Sequence, residues 1–318
     1  MNNWIEQFRK AMTDAGLHAP EEIQDDGKLH RFSPTGKNKD DAGWYVLHLD
    51  GIPAGVFGDW RAGFQQSWCA KADFEMTDAE RQCIRTRIKQ AQVERDRETE
   101  RRRIEAAARA DAMWTAAVPA AGHPYLLRKQ VKACGLRIGQ WTKLDHDTGE
   151  LVRLENVLYV PMRDSTGKLH SLQGVTESGD KHFLPGGRVK GCYHSIGRPS
   201  GRLIVVEGYA TGATVQEATG DAVAVAFNAG NLEPVARALR AKYPCLSIVI
   251  AADDDWRTKD PRTGDLCNPG LAAAKQAAAA VGGLLAVPDF TGLQRGDQDT
   301  DFNDLARLAG AIKIGGHA

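Results

Sequence analysis

The sequence of 318 residues contains no CxxC pair. Its six cysteines stand apart at positions 69, 83, 134, 192, 245 and 267. That spacing excludes a zinc ribbon and a dense disulfide framework, so no zinc is expected. Cys192 and His194 lie close, but two ligands do not close a tetrahedral site. No run of about 18 apolar residues occurs, so no membrane span is expected. The first ten residues, MNNWIEQFRK, lack an apolar core and do not form a secretory signal. These absences predict a cytoplasmic protein with reduced thiols. There is no GxxxxGK[ST] pattern, which leaves no recognisable helicase motor. Net charge is also missing: 41 Lys and Arg face 41 Asp and Glu.

The zero is a cancellation. Residues 1–76 carry 8 basic and 12 acidic side chains, residues 77–199 carry 22 and 15, and residues 200–318 carry 11 and 14. A basic middle beside an acidic end suits a polyanion bound near metal-binding carboxylates, although charge varies along any chain. The length allows roughly two domains, and 42% apolar residues are enough to bury a core.

Four segments follow from the pattern. Residues 1–76 form a small aromatic-rich module. It opens with a short amphipathic helix bearing Trp4, Ile5, Phe8 and Met12, and continues with strands over 43–49 and 52–60 around the Asp50-Gly51 turn. Its Trp44, Trp60 and Trp68 either build that module's core or stack on single-stranded bases. Residues 77–117 form one long charged helix, opened by a Thr77–Glu80 capping box. Its arginines are a solvated face or an arm that touches phosphates. Residues 118–200 are basic and mostly antiparallel β, with strands over 156–162 and 169–175. Residues 201–318 alternate strands (203–206, 222–227, 246–251, 284–287) with helices (210–219, 232–242, 270–281), the pattern of a parallel sheet covered by helices.

Two of those strands end in acid. One runs Leu203-Ile204-Val205-Val206-Glu207-Gly208, where Gly208 permits a sharp turn. Another runs Ile248-Val249-Ile250-Ala251-Ala252-Asp253-Asp254-Asp255. Open parallel sheets place their sites beyond the carboxyl ends of their strands. Asp253 and Asp255 are two apart in an extended segment, so both face one side. Three carboxylates so close repel unless a cation sits among them, and hard oxygen ligands select Mg²⁺ or Mn²⁺. Asp301-Phe302-Asn303-Asp304 adds a further acidic cluster. Any single Asp of this kind can instead cap a helix or a turn.

A strand ending in Glu-Gly, followed two strands later by DxD, resembles the Toprim domain of topoisomerases, DnaG-type primases and some nucleases. The fuller wording is Val206-Glu207-Gly208-Tyr209-Ala210-Thr211-Gly212, Ala252-Asp253-Asp254-Asp255, Asn268-Pro269-Gly270 and Asp301-Phe302-Asn303-Asp304. In that order it is similar to the Toprim primases of plasmids and phages, conjugative-plasmid primases included. Val160-Pro161-Met162-Arg163-Asp164-Ser165-Thr166-Gly167, Lys181-His182-Phe183-Leu184-Pro185-Gly186-Gly187 and Lys190-Gly191 resemble the basic subdomain before Toprim. The resemblance covers residues 120–310 and leaves out residues 1–76, which stand where family members carry a zinc ribbon.

The resemblance implies an α+β multidomain chain: a Toprim α/β domain with a central parallel sheet, preceded by a basic α+β subdomain, the long helix and the N-terminal module. It implies primer synthesis on single-stranded DNA from nucleoside triphosphates, with a separate helicase as partner. Asp253 and Asp255 would be metal ligands, supplemented by Asp254 or Asp304. Glu207 would ligate metal or accept a proton. Arg163, Lys181, Arg188 and Lys190, and also Arg128 and Lys129, would meet nucleotide or template phosphates. A metal-dependent nuclease and a non-catalytic template-binding protein are the alternatives.

Overall fold

The computed structural model describes residues 3–37, 40–60, 62–71, 76–145, 148–259 and 264–315. Residues 72–75, next to the expected end of the N-terminal module, lie outside the described residues. The chain divides into two compact units, Met1–Arg101 with Thr142–Arg153, and Arg102–Trp141 with Leu154–Ala318.

In the first unit, α1 (Trp4–Asp14) buries Phe8 and Met12 against a sheet ordered β1 (His30–Phe32), β2 (Gly43–His48), β3 (Ala54–Asp59) and β4 (Phe64–Cys69). Phe8 meets Tyr45, Phe57 and Trp68 edge-on, with ring centroids 6.0, 5.6 and 5.5 Å away. Such aromatic pairs add ~1 kcal/mol each beyond the area they bury. Trp44 is 2% exposed and packs on Trp60, which lies under the Arg31 guanidinium. These tryptophans hold the module together, as the core reading expects. Strands β1 and β4 were hidden from sequence reasoning because Arg31, Gln65, Gln66 and Ser67 break the apolar alternation.

Helix α2 (Asp78–Ala116) starts at the expected cap. Thr77 Oγ1 accepts from Glu80 N, and a Glu80 carboxylate oxygen accepts from Thr77 N at 2.6 Å. In the second unit its Ala106 and Ala110 pack on a sheet ordered β5 (Val118–Pro119), β6 (Arg137–Leu144), β7 (Leu151–Arg163), β8 (Leu169–Val175) and β9 (Lys181–Phe183). The short helix α3 (Pro124–Lys129) precedes β6 and is capped by His123. Side chains alternate along β7. Val157 and Tyr159 join Ala106 and Ala110 in one core, and Leu158 and Val160 enter the next. Both faces are buried, so the run is continuously apolar.

The last sheet is ordered β10 (His194–Ile196), β12 (Ala222–Val225), β11 (Arg202–Val206), β13 (Ser247–Ala251) and β14 (Leu284–Ala286). Only β10 is antiparallel. Ile204, Val206, Val223 and Val249 face α4 (Tyr209–Thr219) and α7 (Phe302–Ala309). Leu203, Val205, Ile248 and Ile250 face α5 (Leu232–Lys242) and α6 (Pro269–Val281). From β11 the chain crosses to β12 on one side and then returns to β13 on the other. The β11–β13 junction is therefore the switch point where such sheets open a crevice.

His194 on β10 is buried, with Nε2 bonded to the Cys134 carbonyl at 2.9 Å. Burial pushes its pKa down to about 4. The unfolded chain binds that proton first, near pH 6.5, so stability is lost as pH falls from about 6.5 toward 4. The total is about 3 kcal/mol at ~1.4 kcal/mol per pH unit. His194→Gln keeps a donor and should flatten that part of the profile in urea unfolding at a series of pH values.

Candidate active site

The carboxyl ends of the adjacent parallel strands β11 and β13 deliver Glu207 and the 253–255 segment to one crevice. Glu207 accepts a backbone hydrogen bond from Ala229, at the start of the 3₁₀ turn Ala229–Asn231. Asp255 Oδ2 accepts from Gly270 N at 3.1 Å. Gly270 is required by space: a Cβ there would stand 2.7 Å from the Asp253 carbonyl and 2.8 Å from Asp255 Oδ2. Gly208 differs from expectation. Its φ is −101°, so the turn after Glu207 does not need glycine's conformational freedom.

A fourth carboxylate, which sequence reasoning did not single out, belongs to the crevice. Asp301 caps α7, with Oδ1 accepting from Asn303 N and Asp304 N at 2.8 and 2.9 Å. Its Oδ2 accepts from Thr211 Oγ1 at 2.8 Å. Among the DFND residues the cap position was the available signal, because an N-cap Asp is fixed by backbone N–H groups and not by a variable partner.

Electrostatics tie the group together. Burial raises the Asp253 pKa well above its ordinary value, and the charges of Asp301, Glu207 and Asp255 raise it further. Burial and Asp255 likewise raise Glu207. Burial and Asp304 raise Asp301. Lys181 opposes the shifts at Asp253 and Glu207. Asp253 Oδ1 is buried with no hydrogen-bond partner among the described residues. Among the described residues no three ligand side chains are gathered into a ready-made metal cage. The donor set nevertheless fits a hard divalent ion: all the groups are carboxylates, and one buried oxygen lacks a partner.

The other expected residues fall in different places. Asp254 faces away from the crevice and pairs with Arg295 at 2.7 Å. Asp304 accepts from Lys129 at 3.3 Å and from Thr300 N at 3.1 Å. Lys181, Arg128 and Lys129 line a cavity of about 290 Å³ with Gly208, Thr211 and Asp301. Arg128 is spent on the carbonyls of Glu177 and Ser178. Arg163 holds the Gly167 carbonyl and lies over Trp114, and Arg188 bonds the Lys190 carbonyl. Lys190 lines a separate cavity with Ala229 and Arg237. A larger cleft of about 620 Å³ between α3, α4 and α7 is lined by none of Glu207, Asp253, Asp255 and Asp301, whereas the smaller cavity reaches the acidic group at Asp301. Phe183 is two residues along β9 from Lys181, on the same face, and is 39% exposed. Cys192 is fully buried, and burial pushes its thiol up to about 11.

Residues 202–311, which carry this crevice, match the Toprim domain family model. Those residues form a Toprim domain. Over most of its length it is also similar to DNA primase TraC of Escherichia coli. One such protein is 36% identical over 272 residues, 83% of this chain and 24% of that protein. A second is 34% identical over 297 residues, 90% of this chain and 19% of that protein. The chain thus spans about a quarter or less of the curated relatives it matches. A solved structure of the DnaG primase catalytic domain bound to ssDNA aligns at 13% identity and a TM-score of 0.42, covering 65% of this chain and 76% of that one.

Because the folded-state pKa of Asp253 is raised, its charge destabilises the metal-free fold at neutral pH, and the penalty fades as pH falls through that pKa. Asp253→Asn should therefore melt higher than the wild type without metal, by ~3 °C for each kcal/mol relieved. Mg²⁺ should raise the wild-type melting temperature and leave the variant's unchanged. Thermal unfolding with and without Mg²⁺ checks both.

Proposed function

We propose that this chain is the catalytic part of a DNA-directed primase that builds short primers on single-stranded DNA, in the replication of a plasmid, phage or other mobile element. The observation that carries the reading is the half-buried carboxylate group of Glu207, Asp253, Asp255 and Asp301 beside Lys181, with Asp253 Oδ1 buried and unpartnered. Similarity to primases that are much longer than this chain supports it.

Mg²⁺ or Mn²⁺ would be held by Asp253 and Asp255, with Glu207 and Asp301 beside them. Asp254 and Asp304, engaged by Arg295 and Lys129, serve the fold of the site instead. A divalent ion held there supplies Lewis acidity and clamps the oxygens of an in-line displacement at phosphorus. Glu207, with its raised pKa, is matched to take the proton of the primer 3′-hydroxyl. Lys181 sets a positive charge beside the acidic group, where it neutralises triphosphate or template phosphates. Lys190 extends the basic path, and Arg163, Arg188, Arg128 and Lys129 shape it through the hairpin carbonyls and the carboxylate they hold. Phe183 offers a ring face to a template base. Residues 1–76 act as an accessory module in template recognition, the long helix 77–117 links it to the basic subdomain 118–200, and 201–318 is catalytic. The helicase is a separate protein, and the setting is the cytoplasm.

Labelled nucleotides, single-stranded DNA and Mg²⁺ or Mn²⁺ decide the matter. The expected outcome is template-dependent extension that Asp253→Ala abolishes while leaving template binding within about twofold. Lys181→Ala should lower incorporation by about 10–100-fold, in line with the loss of one charge-assisted contact of about 1.5–3 kcal/mol. Degradation of the template would establish the nuclease instead, and neither reaction would leave a template-binding protein.

A further inference from the structure

We propose that Arg295 is a positioning residue for the metal centre, fixing the spacing between the Asp253–Asp255 segment and Asp301. This rests on the reading of those carboxylates as metal-facing. Neighbouring residues of an extended segment face opposite sides, so turning Asp253 and Asp255 into the crevice turns Asp254 out of it. The structure uses that outward side chain as an anchor. Asp254 Oδ2 accepts from Arg295 Nη1 at 2.7 Å, and the Asp254 carbonyl accepts from Nη2 at 2.8 Å. Asp254 Oδ1 accepts from Asn268 Nδ2 at 2.6 Å.

The same guanidinium reaches the loop that leads into α7. Arg295 Nε donates to the Asp299 carbonyl at 2.8 Å, two residues before Asp301. Alongside it, Asp254 N donates to the Thr300 carbonyl at 2.8 Å. Through that main-chain bond and the fork of Arg295, the two acidic segments are held in one register. The guanidinium lies over the rings of Phe290 and Trp256, at 4.2 and 4.8 Å from their centroids. Its side chain is 17% exposed and that of Asp254 18%, so water screens the pair little. Three donors of one planar group meet three acceptors on two segments. A lysine ammonium on a flexible stem cannot reproduce that fork.

The arrangement gives Arg295 a defined effect. It touches none of the carboxylates of the crevice, and acts by holding the backbone that carries them. Partners of this kind, one step removed from the ligands, typically change metal affinity by about 10–100-fold when removed. The test is Mn²⁺ binding followed by electron paramagnetic resonance on the whole chain, with nucleotide incorporation measured in parallel. Arg295→Ala should weaken Mn²⁺ binding at least about tenfold, leave single-stranded DNA affinity unchanged, and regain much of its incorporation rate at saturating Mn²⁺. Arg295→Lys should fall between the wild type and Arg295→Ala. Asp254→Asn, which keeps the shape and loses the charge, should shift Mn²⁺ binding in the same direction and keeps the test open if Arg295→Ala does not fold. Val235→Ala, in the α5 face of the sheet, serves as the destabilised control and should leave Mn²⁺ affinity unaltered. Unchanged Mn²⁺ affinity in the folded Arg295 or Asp254 variants would overturn the proposal, as would an equal shift in the Val235 control or a wild type that binds no Mn²⁺. A wild type that binds Mn²⁺ and incorporates no nucleotide would overturn the primase reading alone, with the role of Arg295 still decided by the Mn²⁺ affinities.

Discussion

The constraint on which the second unit depends is the burial of like charges at the carboxyl edge of a parallel sheet. Two carboxylates about 4 Å apart repel by roughly 4 kcal/mol even at an effective dielectric of about 20. Here Asp253, Asp301 and Glu207 are all pushed toward their protonated forms by burial and by neighbouring carboxylates. The framework that tolerates this is rigid and apolar. Ile204, Val206, Val249 and Ala251 anchor one face of the two central strands, and Leu203, Val205, Ile248 and Ile250 the other. Charge is concentrated at the one edge where the chain turns out of the sheet.

The basic subdomain answers that edge with fewer free cations than its composition suggests. Arg128 organises the 177–178 turn, Arg163 the turn at Gly167, and Lys129 is paired with Asp304. These side chains fix hairpins and join elements within the unit. Lys181 is different: it lies on the edge strand β9 and lowers the pKa of both Glu207 and Asp253. A count of arginines and lysines therefore overstates the number of side chains free to reach a polyanion, because each guanidinium that satisfies backbone carbonyls keeps its charge but is held in place by them.

The same distinction explains what was legible in the sequence. The β-α alternation from residue 201 was legible because each central strand is buried on both faces and each helix has an apolar stripe. The Thr77–Glu80 cap and the helix end at Gly220 were equally local signals. Strands β6, β9 and β10 were not legible. Each is short or irregular in pattern, and pairing with distant segments decides its conformation. At the site, Glu207, Asp253 and Asp255 could be placed because strand direction dictates where they emerge. Asp301 could not, since its place depends on how the 287–301 loop returns to the sheet. Asp254 and Asp304 share the composition of the site but not its orientation, and only tertiary contacts with Arg295 and Lys129 distinguish them.

One regularity links the carboxylates of the crevice. Glu207 accepts a backbone N–H from Ala229 at the start of the turn into α5, Asp255 one from Gly270 in the first turn of α6, and Asp301 two from the first turn of α7. Helix N-termini favour negative charge without neutralising it. Three of the four acids are thereby fixed in direction by backbone that does not titrate. Asp253 has no such donor. Its Oδ1 is buried and unpartnered, and its pKa is the one raised well above the ordinary value. The group is therefore asymmetric: three acids are oriented by backbone N–H groups, and the fourth has an oxygen with no hydrogen-bond partner among the described residues. The outward-facing Asp254 then matters as the strut for that fourth acid, because a residue with no side-chain partner of its own takes its position from its neighbours in the chain.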